Sequence, residues 1–128
     1  MTDGLIDSSV LIDCLRGRPQ AVAFLAAHTA AARPVTHLIV AAELLAGARD
    51  KREVVVIDAF LDGFDLVVPT TSDGLVALAL FRDYRLSHGV DWPDCQIAAT
   101  ALRLGVPIHT LNVKHFAAFA GLRVDRPY

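Results

Sequence analysis

Three acids in this chain, Asp7, Glu43 and Asp94, stand where a carboxylate is costly unless something binds it. Asp7 closes the short apolar run Leu5-Ile6 and is followed by Ser8-Ser9 and a second apolar run, Val10-Leu11-Ile12. The first run is too short for a helix. It reads as a buried parallel strand ending at Asp7, with a helix N-capped at Ser8 or Ser9 behind it. In an open α/β sheet, ligands bind in the crevice beyond the carboxyl ends of the strands, and Asp7 would stand there. A lone Asp in that position could equally do no more than support the turn. Glu43 is hemmed by Ala41, Ala42, Leu44 and Leu45, and a charge among apolar neighbours is rarely buried unless it is paired or bound to metal. The alternative is that Glu43 marks the solvent edge of its helix or pairs with a base such as Arg49. Asp94 lies three residues past Asp91 in Asp91-Trp92-Pro93-Asp94. Helix capping and the helix dipole account for both acids without any function, although Asp94 is turned toward the side where Ile97 and Ala98 begin.

If Asp7, Glu43 and Asp94 converge, they form a pocket with about three negative charges, which repel and raise one another's pKa values unless a cation neutralises them. Carboxylate oxygens suit a hard ion, Mg2+ or Mn2+, that keeps several waters and leaves room for a phosphate. Hydrolysis of a phosphodiester follows: such an ion acidifies a bound water and offsets charge building on the phosphate and leaving oxygen. The other acids have ordinary expectations. Asp50, Glu53, Asp62 and Asp73 fall in turns or on exposed helix faces and are expected to face solvent, as are Asp58, Asp65 and Asp125.

The elements that must position the three acids alternate between strand and helix. After the opening strand, a short helix over 10–15 stops near Gly17, and Pro19 suits the first turn of a second helix with Val22, Leu25 and Ala26 inward. Residues 34–36 are extended, and Thr36 is expected to cap a third helix in which Leu38, Ala41, Ala42 and Leu45 recur at helical spacing. Charged residues at 49–53 mark an exposed turn. The β-branched run 54–61 is helical or extended, and 64–69 reads as a strand closed by Pro69. Thr71 or Ser72 caps a long helix ending at Gly89. Asp91 caps the next helix, with Pro93 in its first turn, Ile97, Ala98, Ala101 and Leu102 inward, and Gly105 at its end. A strand over 106–111, a short helix over 114–119 and a last strand over 122–124 complete the chain. This alternation predicts an α/β fold, one domain over residues 1–128, with a mainly parallel central sheet.

Composition narrows the function classes. The 128 residues are long enough for one buried core, and 54% of them are hydrophobic, so part of the surface is expected to be covered by another subunit. Charged residues interrupt every apolar run well short of the ~18 residues that a spanning helix needs. Met1-Thr2-Asp3-Gly4 has no basic region ahead of an apolar core and is not expected to be a signal peptide. Cys14 and Cys95 have neither CxxC spacing nor clustered His, which argues against a zinc site or a disulfide framework. A reduced, cytoplasmic setting is expected. The net charge of −2 argues against nonspecific coating of nucleic acid. Neither a serine-hydrolase elbow nor a P-loop occurs. A haloacid-type phosphatase would want an Asp where Ser9 stands. A receiver domain would want an acid pair beside Asp7 and a phosphorylatable Asp at the end of a middle strand, whereas Asp65 falls near the start of one.

Four stretches together resemble a known family: Leu5-Ile6-Asp7-Ser8-Ser9-Val10-Leu11-Ile12, Ala42-Glu43-Leu44-Leu45-Ala46-Gly47, Asp94-Cys95-Gln96-Ile97-Ala98-Ala99-Thr100-Ala101 and Thr110-Leu111-Asn112-Val113-Lys114-His115-Phe116. In order and spacing they resemble the PIN-domain ribonucleases, and among these the VapC-type toxins of toxin–antitoxin pairs. The resemblance implies a PIN fold, with helices on both sides of the sheet, and Mg2+- or Mn2+-dependent cleavage of RNA that leaves a 5′-phosphate and a 3′-hydroxyl. Asp7, Glu43 and Asp94 match the family's metal-binding acids, and Ser9 matches the small polar residue that supports the first of them. Asn112 falls where many members carry a fourth acid. It brings no charge, so it would hold a second metal only weakly and act through water. His115, where relatives often have an acid, would touch phosphate when protonated or serve as a half-exposed structural residue.

The same resemblance implies a homodimer, an RNA substrate and a small antitoxin whose terminal segment lies in an apolar groove and sets a basic side chain among the acids. Leu11, Leu15, Leu25 and Leu45 are candidates for that groove. Arg16, Arg18, Arg49, Lys51, Arg52 and Lys114 flank the site in sequence as candidate RNA contacts, each equally explicable as a solvated surface charge. Trp92 could stack on a base or pack beneath the Asp94 helix. The rival within the family is a catalytically inactive module that binds RNA or protein, which the Asn at 112 would favour and the three acids oppose.

Overall fold

Residues 4–128 are described in a computed structural model; Met1, Thr2 and Asp3, on which part of the signal-peptide reading rests, lie outside the described residues. Five strands, β1 (Leu5–Ile6), β2 (Val35–His37), β3 (Asp65–Val67), β4 (Ile108–His109) and β5 (Val124–Asp125), form one sheet in the order β3-β2-β1-β4-β5. Every pairing is parallel, with Leu5 opposite both Val35 and Ile108. The helices are α1 (Ser8–Leu15), α2 (Pro19–Ala31), α3 (Leu38–Ala46), α4 (Lys51–Leu61), α5 (Thr71–His88), α6 (Trp92–Leu104) and α7 (Val113–Phe116). The chain lays down β1, β2 and β3 in one direction and then returns to the other side of β1 for β4 and β5. The order therefore reverses between β1 and β4, and the carboxyl ends of that pair form the crevice where such sheets bind ligands.

β1 is central because Leu5 and Ile6 are fully buried, with Ile108 of β4 on one flank and Val35 of β2 on the other. Val10 and Leu11 of α1, Val40 and Leu44 of α3, and Ile97 and Ala98 of α6 close over the sheet. The alanines of α6 keep that helix close to its neighbours at little cost in side-chain entropy. The ambiguous run near Val54 is helical: Asp50 accepts from the Glu53 N–H as N-cap, and Ile57 and Leu61, four apart, take the buried face.

Several local expectations are corrected. The N-cap of α1 is Asp7, not Ser8 or Ser9; that of α3 is His37, whose Nδ1 accepts from the Ile39 N–H, while Thr36 bonds the Ile6 carbonyl. α5 is capped by Thr70, one residue before the expected cap, in a reciprocal capping box with Asp73. On α2 the inward side chains are Ala21, Phe24 and Leu25, whereas Val22 and Ala26 are exposed. Leu38, Ala42 and Leu45 of α3 are exposed too; Ala41 is buried as its spacing suggested, together with Val40 and Leu44.

Asp73 is the largest departure, since it is 2% exposed rather than solvent-facing. Its carboxylate accepts two hydrogen bonds from Arg103, one from the Thr100 hydroxyl and one from the Thr70 N–H. Burial by itself would raise its pKa, but these donors outweigh that and hold it at about 2. Thr100 also lies 3.0 Å from His37 Nε2. Because His37 Nδ1 accepts from the backbone, Nε2 carries the proton and donates to Thr100, which in turn donates to Asp73. Burial lowers the His37 pKa to about 4 against the pull of Asp73. This chain of bonds joins α5 and α6 to the start of the helix that carries Glu43.

Candidate active site

Asp7 sits directly after β1 and is 2% exposed. Its Oδ2 accepts from the Thr110 hydroxyl at 2.7 Å and from the Ser9 hydroxyl at 3.3 Å. Ser9 Oγ in turn accepts from the Leu111 N–H, and Thr110 Oγ1 from the Asn112 N–H. The loops after β1 and β4 are thus stitched together under one carboxylate, with each hydroxyl giving its proton to Asp7 and taking one from backbone. Ser9, for which the resemblance suggested a supporting role, stands beside the first acid. Thr110 was given no role by sequence reasoning; its polar side chain just past a buried strand was the available signal.

Glu43 reaches the same place from the middle of α3. Burial first, then the charges of Asp7, Asp94 and Asp91, push its pKa up to about 7, with the Ser8 hydroxyl opposing. These couplings put the four carboxylates in one electrostatic neighbourhood. Glu43 Oε1 is buried without a hydrogen-bond partner, the one such side-chain atom among the described residues. A buried carboxylate oxygen left unbonded is a costly arrangement.

Asp94, in the first turn of α6, keeps 13% of its side chain exposed, and its Oδ2 lies 2.9 Å from His115 Nδ1. Burial raises the Asp94 pKa; the His115 contact pulls it back, and Asp7 and Asp91 push it up again. His115, half-exposed at 47%, faces a carboxylate. Asp91 is the N-cap of α6 by backbone geometry, but its side chain makes no capping bond. One donor atom each from Asp91, Asp94 and His115 lie within 4.8 Å of one another, while Asp7 and Glu43 stand outside that group. Sequence reasoning passed over Asp91 because capping explained it.

The cluster therefore has carboxylate and imidazole donors, raised pKa values at Glu43 and Asp94, and an orphaned buried oxygen. A divalent cation fits this donor set, since it would neutralise the acids and give Glu43 Oε1 a positive partner.

The remaining predicted residues are distributed around the cluster. Asn112 is exposed at the start of α7, joined to the site through its backbone bond to Thr110, with exposed Lys114 two residues on. Arg16 ends α1 and lines a groove of about 590 Å³ that has Glu43 in its wall, apolar sides from Ile12, Leu15, Leu44 and Val56, and Arg52 on its rim. Of the expected groove residues, Leu15 lines it. Leu11 is fully buried, Leu25 packs on the core, and Leu45 lines a separate depression with Leu38 and Leu66. Arg18 is held by Asp13 and lies over the Tyr128 ring, and Arg49 is paired with Glu53. Trp92 packs edge-on against Phe81 while keeping partial exposure.

A PIN-domain family model matches residues 4–122. Ribonuclease VapC19 of Mycobacterium tuberculosis is 36% identical over 121 residues, which covers 93% of this chain and 96% of that protein. Among solved structures, a toxin–antitoxin complex from Klebsiella pneumoniae matches with a TM-score of 0.79 and 28% identity over 98% of both chains. FitAcB from Neisseria gonorrhoeae matches with a TM-score of 0.75 and 25% identity over 96% of both.

Proposed function

The chain belongs to the PIN-domain family, in its VapC-type branch, and on that premise we propose that it is a divalent-metal-dependent endoribonuclease, the toxin of a toxin–antitoxin pair. The observation that carries this reading is the convergence of Asp7, Glu43 and Asp94 on one crevice, with a buried Glu43 oxygen left without a partner. Asp7, Asp94 and Glu43 would hold Mg2+ or Mn2+. When bound, the cation supplies a water that ionises near neutral pH and offsets charge on the phosphate.

The chain's own residues set up that chemistry. Thr110 and Ser9 restrain the Asp7 carboxylate by donating to Oδ2, so that Oδ1 would be the oxygen offered to the cation. His115 restrains Asp94 in the same way. Glu43, raised to about 7 by burial and the neighbouring acids, would give up its proton when a cation binds. As the family likeness implies, water attack at phosphorus with departure of the 3′-oxygen would leave a 3′-hydroxyl and a 5′-phosphate. Arg16, Lys114 and Arg52 are exposed around the crevice and suited to RNA phosphates, and Asn112 reaches substrate through water.

The groove between α1, α3 and α4 supports the antitoxin half of the proposal. Its apolar walls take an amphipathic segment, and a basic side chain entering at Glu43 would satisfy the oxygen that the cation otherwise satisfies. No described helix is long and apolar enough to cross a membrane, and we place the protein in the cytoplasm as a single-domain homodimer. The test is cleavage of total cellular RNA by antitoxin-free protein with Mg2+, Mn2+ or EDTA, for wild type and Asp7→Asn. Metal-dependent cutting lost in the variant is expected. A folded, metal-bound wild type that binds RNA without cutting any would favour the non-catalytic module.

A further inference from the structure

Trp92, the only tryptophan in the chain, opens α6 between Asp91 and Asp94 and keeps 38% of its surface exposed. It is not a loose side chain. Its ring meets Phe81 of α5 with 5.7 Å between centroids and 74° between planes, and Phe81 itself packs against the core. A contact at that angle fixes the indole without covering it as a stacked partner would. Arg85, one turn along α5, lies over the Phe81 ring with its Cζ 6.0 Å from the centroid. It has no carboxylate partner among the described residues, whereas Arg82 pairs with Asp83. A rigid, partly open aromatic and an unpaired guanidinium thus rest on one support beside the crevice.

The first turn of α6 separates two faces. Asp94 turns to His115 of α7, and Trp92 turns to Phe81 of α5. A single RNA strand that crosses this turn with a phosphate at the acids carries the base of an adjoining nucleotide toward Trp92. The charges there favour a base over a second phosphate. Asp91, exposed next to Trp92, repels an anion but does not penalise the face of a neutral base. Arg85, on the far side of Phe81, restores the positive charge that the following phosphate needs.

We propose that Trp92 is the platform on which an unpaired base near the cleaved phosphate stacks, with Arg85 holding the phosphate beyond it. The inference rests on the ribonuclease reading above and adds a substrate requirement to it. The nucleotide must be free to leave its own stack, as in a loop, a bulge or a single strand. Stacking on an aromatic ring tolerates every base, so this contact selects RNA by structure and not by sequence.

Because no second indole contributes, intrinsic fluorescence reports Trp92 alone. The full antitoxin-free chain carrying Asp7→Asn, with Mg2+, is titrated with denatured, fragmented total cellular RNA and separately with inorganic polyphosphate. RNA is expected to quench the emission and polyphosphate to leave it unchanged. In the otherwise wild-type chain, Trp92→Leu is expected to weaken RNA binding and raise the apparent KM for cleavage roughly ten- to a hundredfold, with kcat and Mn2+ affinity little changed. Trp92→Phe should recover most of the loss. Arg85→Gln should lower the slope of log affinity against log salt by about 0.7. RNA bound without quenching, equal quenching by polyphosphate, or a Leu variant that keeps the wild-type KM overturns the assignment of Trp92 and leaves the nuclease reading standing. Emission that responds to protein dilution and not to RNA also overturns it, and gives this face to a second copy of the chain. Folded wild type that neither binds nor cuts RNA overturns both.

Discussion

The Thr110 hydroxyl lies 2.7 Å from Asp7 Oδ2 and donates to it, although 103 residues separate the two in sequence. This bond joins the loops at the carboxyl ends of β1 and β4 and engages one of the two Asp7 oxygens. Thr110→Val keeps the shape of the side chain and removes the donor. RNA cleavage is expected to fall roughly ten- to a hundredfold, in line with loss of a group that orients a metal ligand, and stability by about 1 kcal/mol. Thr110→Ser should recover most of both. A valine variant as fast as wild type would remove Thr110 from the machinery.

Glu43 makes the metal-free protein sensitive to base. Its folded pKa of about 7 is raised from 4.5, so its contribution to stability is complete below pH 4.5 and is lost as pH rises through 7. Glu43→Gln should therefore raise the melting temperature of the EDTA-treated protein at pH 8 by a few degrees, roughly what 1 kcal/mol gives in a domain of this size. Mn2+ should stabilise wild type more than the Gln variant. Equal melting temperatures for the two proteins in EDTA at pH 8 would show that the buried carboxylate carries no such cost.

His37 acts in the opposite sense. Its folded pKa of about 4 is lowered from 6.5, so stability is complete above pH 6.5 and falls as pH drops toward 4, by about 3 kcal/mol in all. Between pH 4.5 and 6.5 the two groups oppose each other, and the wild-type profile should be shallow. His37→Asn keeps an acceptor for the Ile39 N–H and removes the titration. In denaturant melts across that range, this variant is expected to lose stability with rising pH, as the Glu43 contribution alone dictates. A variant profile parallel to wild type would refute the assignment.

Asp73→Ala should cost about 2–3 kcal/mol, because it unpairs Arg103 and removes the acceptor for Thr100 and the Thr70 N–H at once. Arg103 is partly exposed and can recover water, which keeps the loss below that of a fully buried pair. Chemical denaturation reads the difference. A loss under 0.5 kcal/mol, roughly the size of an ordinary surface substitution, would show that the network is incidental.

What could be read from the sequence follows from how local each signal is. Glu43 stood out because a carboxylate among apolar neighbours is a conflict within a few residues, and Asp7 because it closes a buried strand, whereas Asp94, which capping explains, was drawn in by the likeness of the four stretches. The ends of α5 and α6 were equally visible, since Gly89 and Gly105 take the left-handed C-cap conformation there. Asp73 was misplaced because the partners that bury it, Thr100 and Arg103, lie 27 and 30 residues away. The inward face of α2 was misplaced because its run of alanines gives little contrast around the helix. The caps of three helices were displaced from neighbouring hydroxyls: Asp7 and Thr70 precede the residues expected to cap α1 and α5, and His37 follows the Thr36 expected to cap α3.

The strand order β3-β2-β1-β4-β5 also sets when a cutting site first exists. A growing polypeptide that has emerged through β3 carries Asp7 and Glu43, but neither Asp94 nor the β4 edge that holds Asp7 in place. β1 must then wait, flanked on one side only, for a strand made near the end of synthesis. The candidate site is therefore complete only when β4 docks, whereas the groove between α1, α3 and α4, built from residues 12–57, needs none of the late segments and can form first.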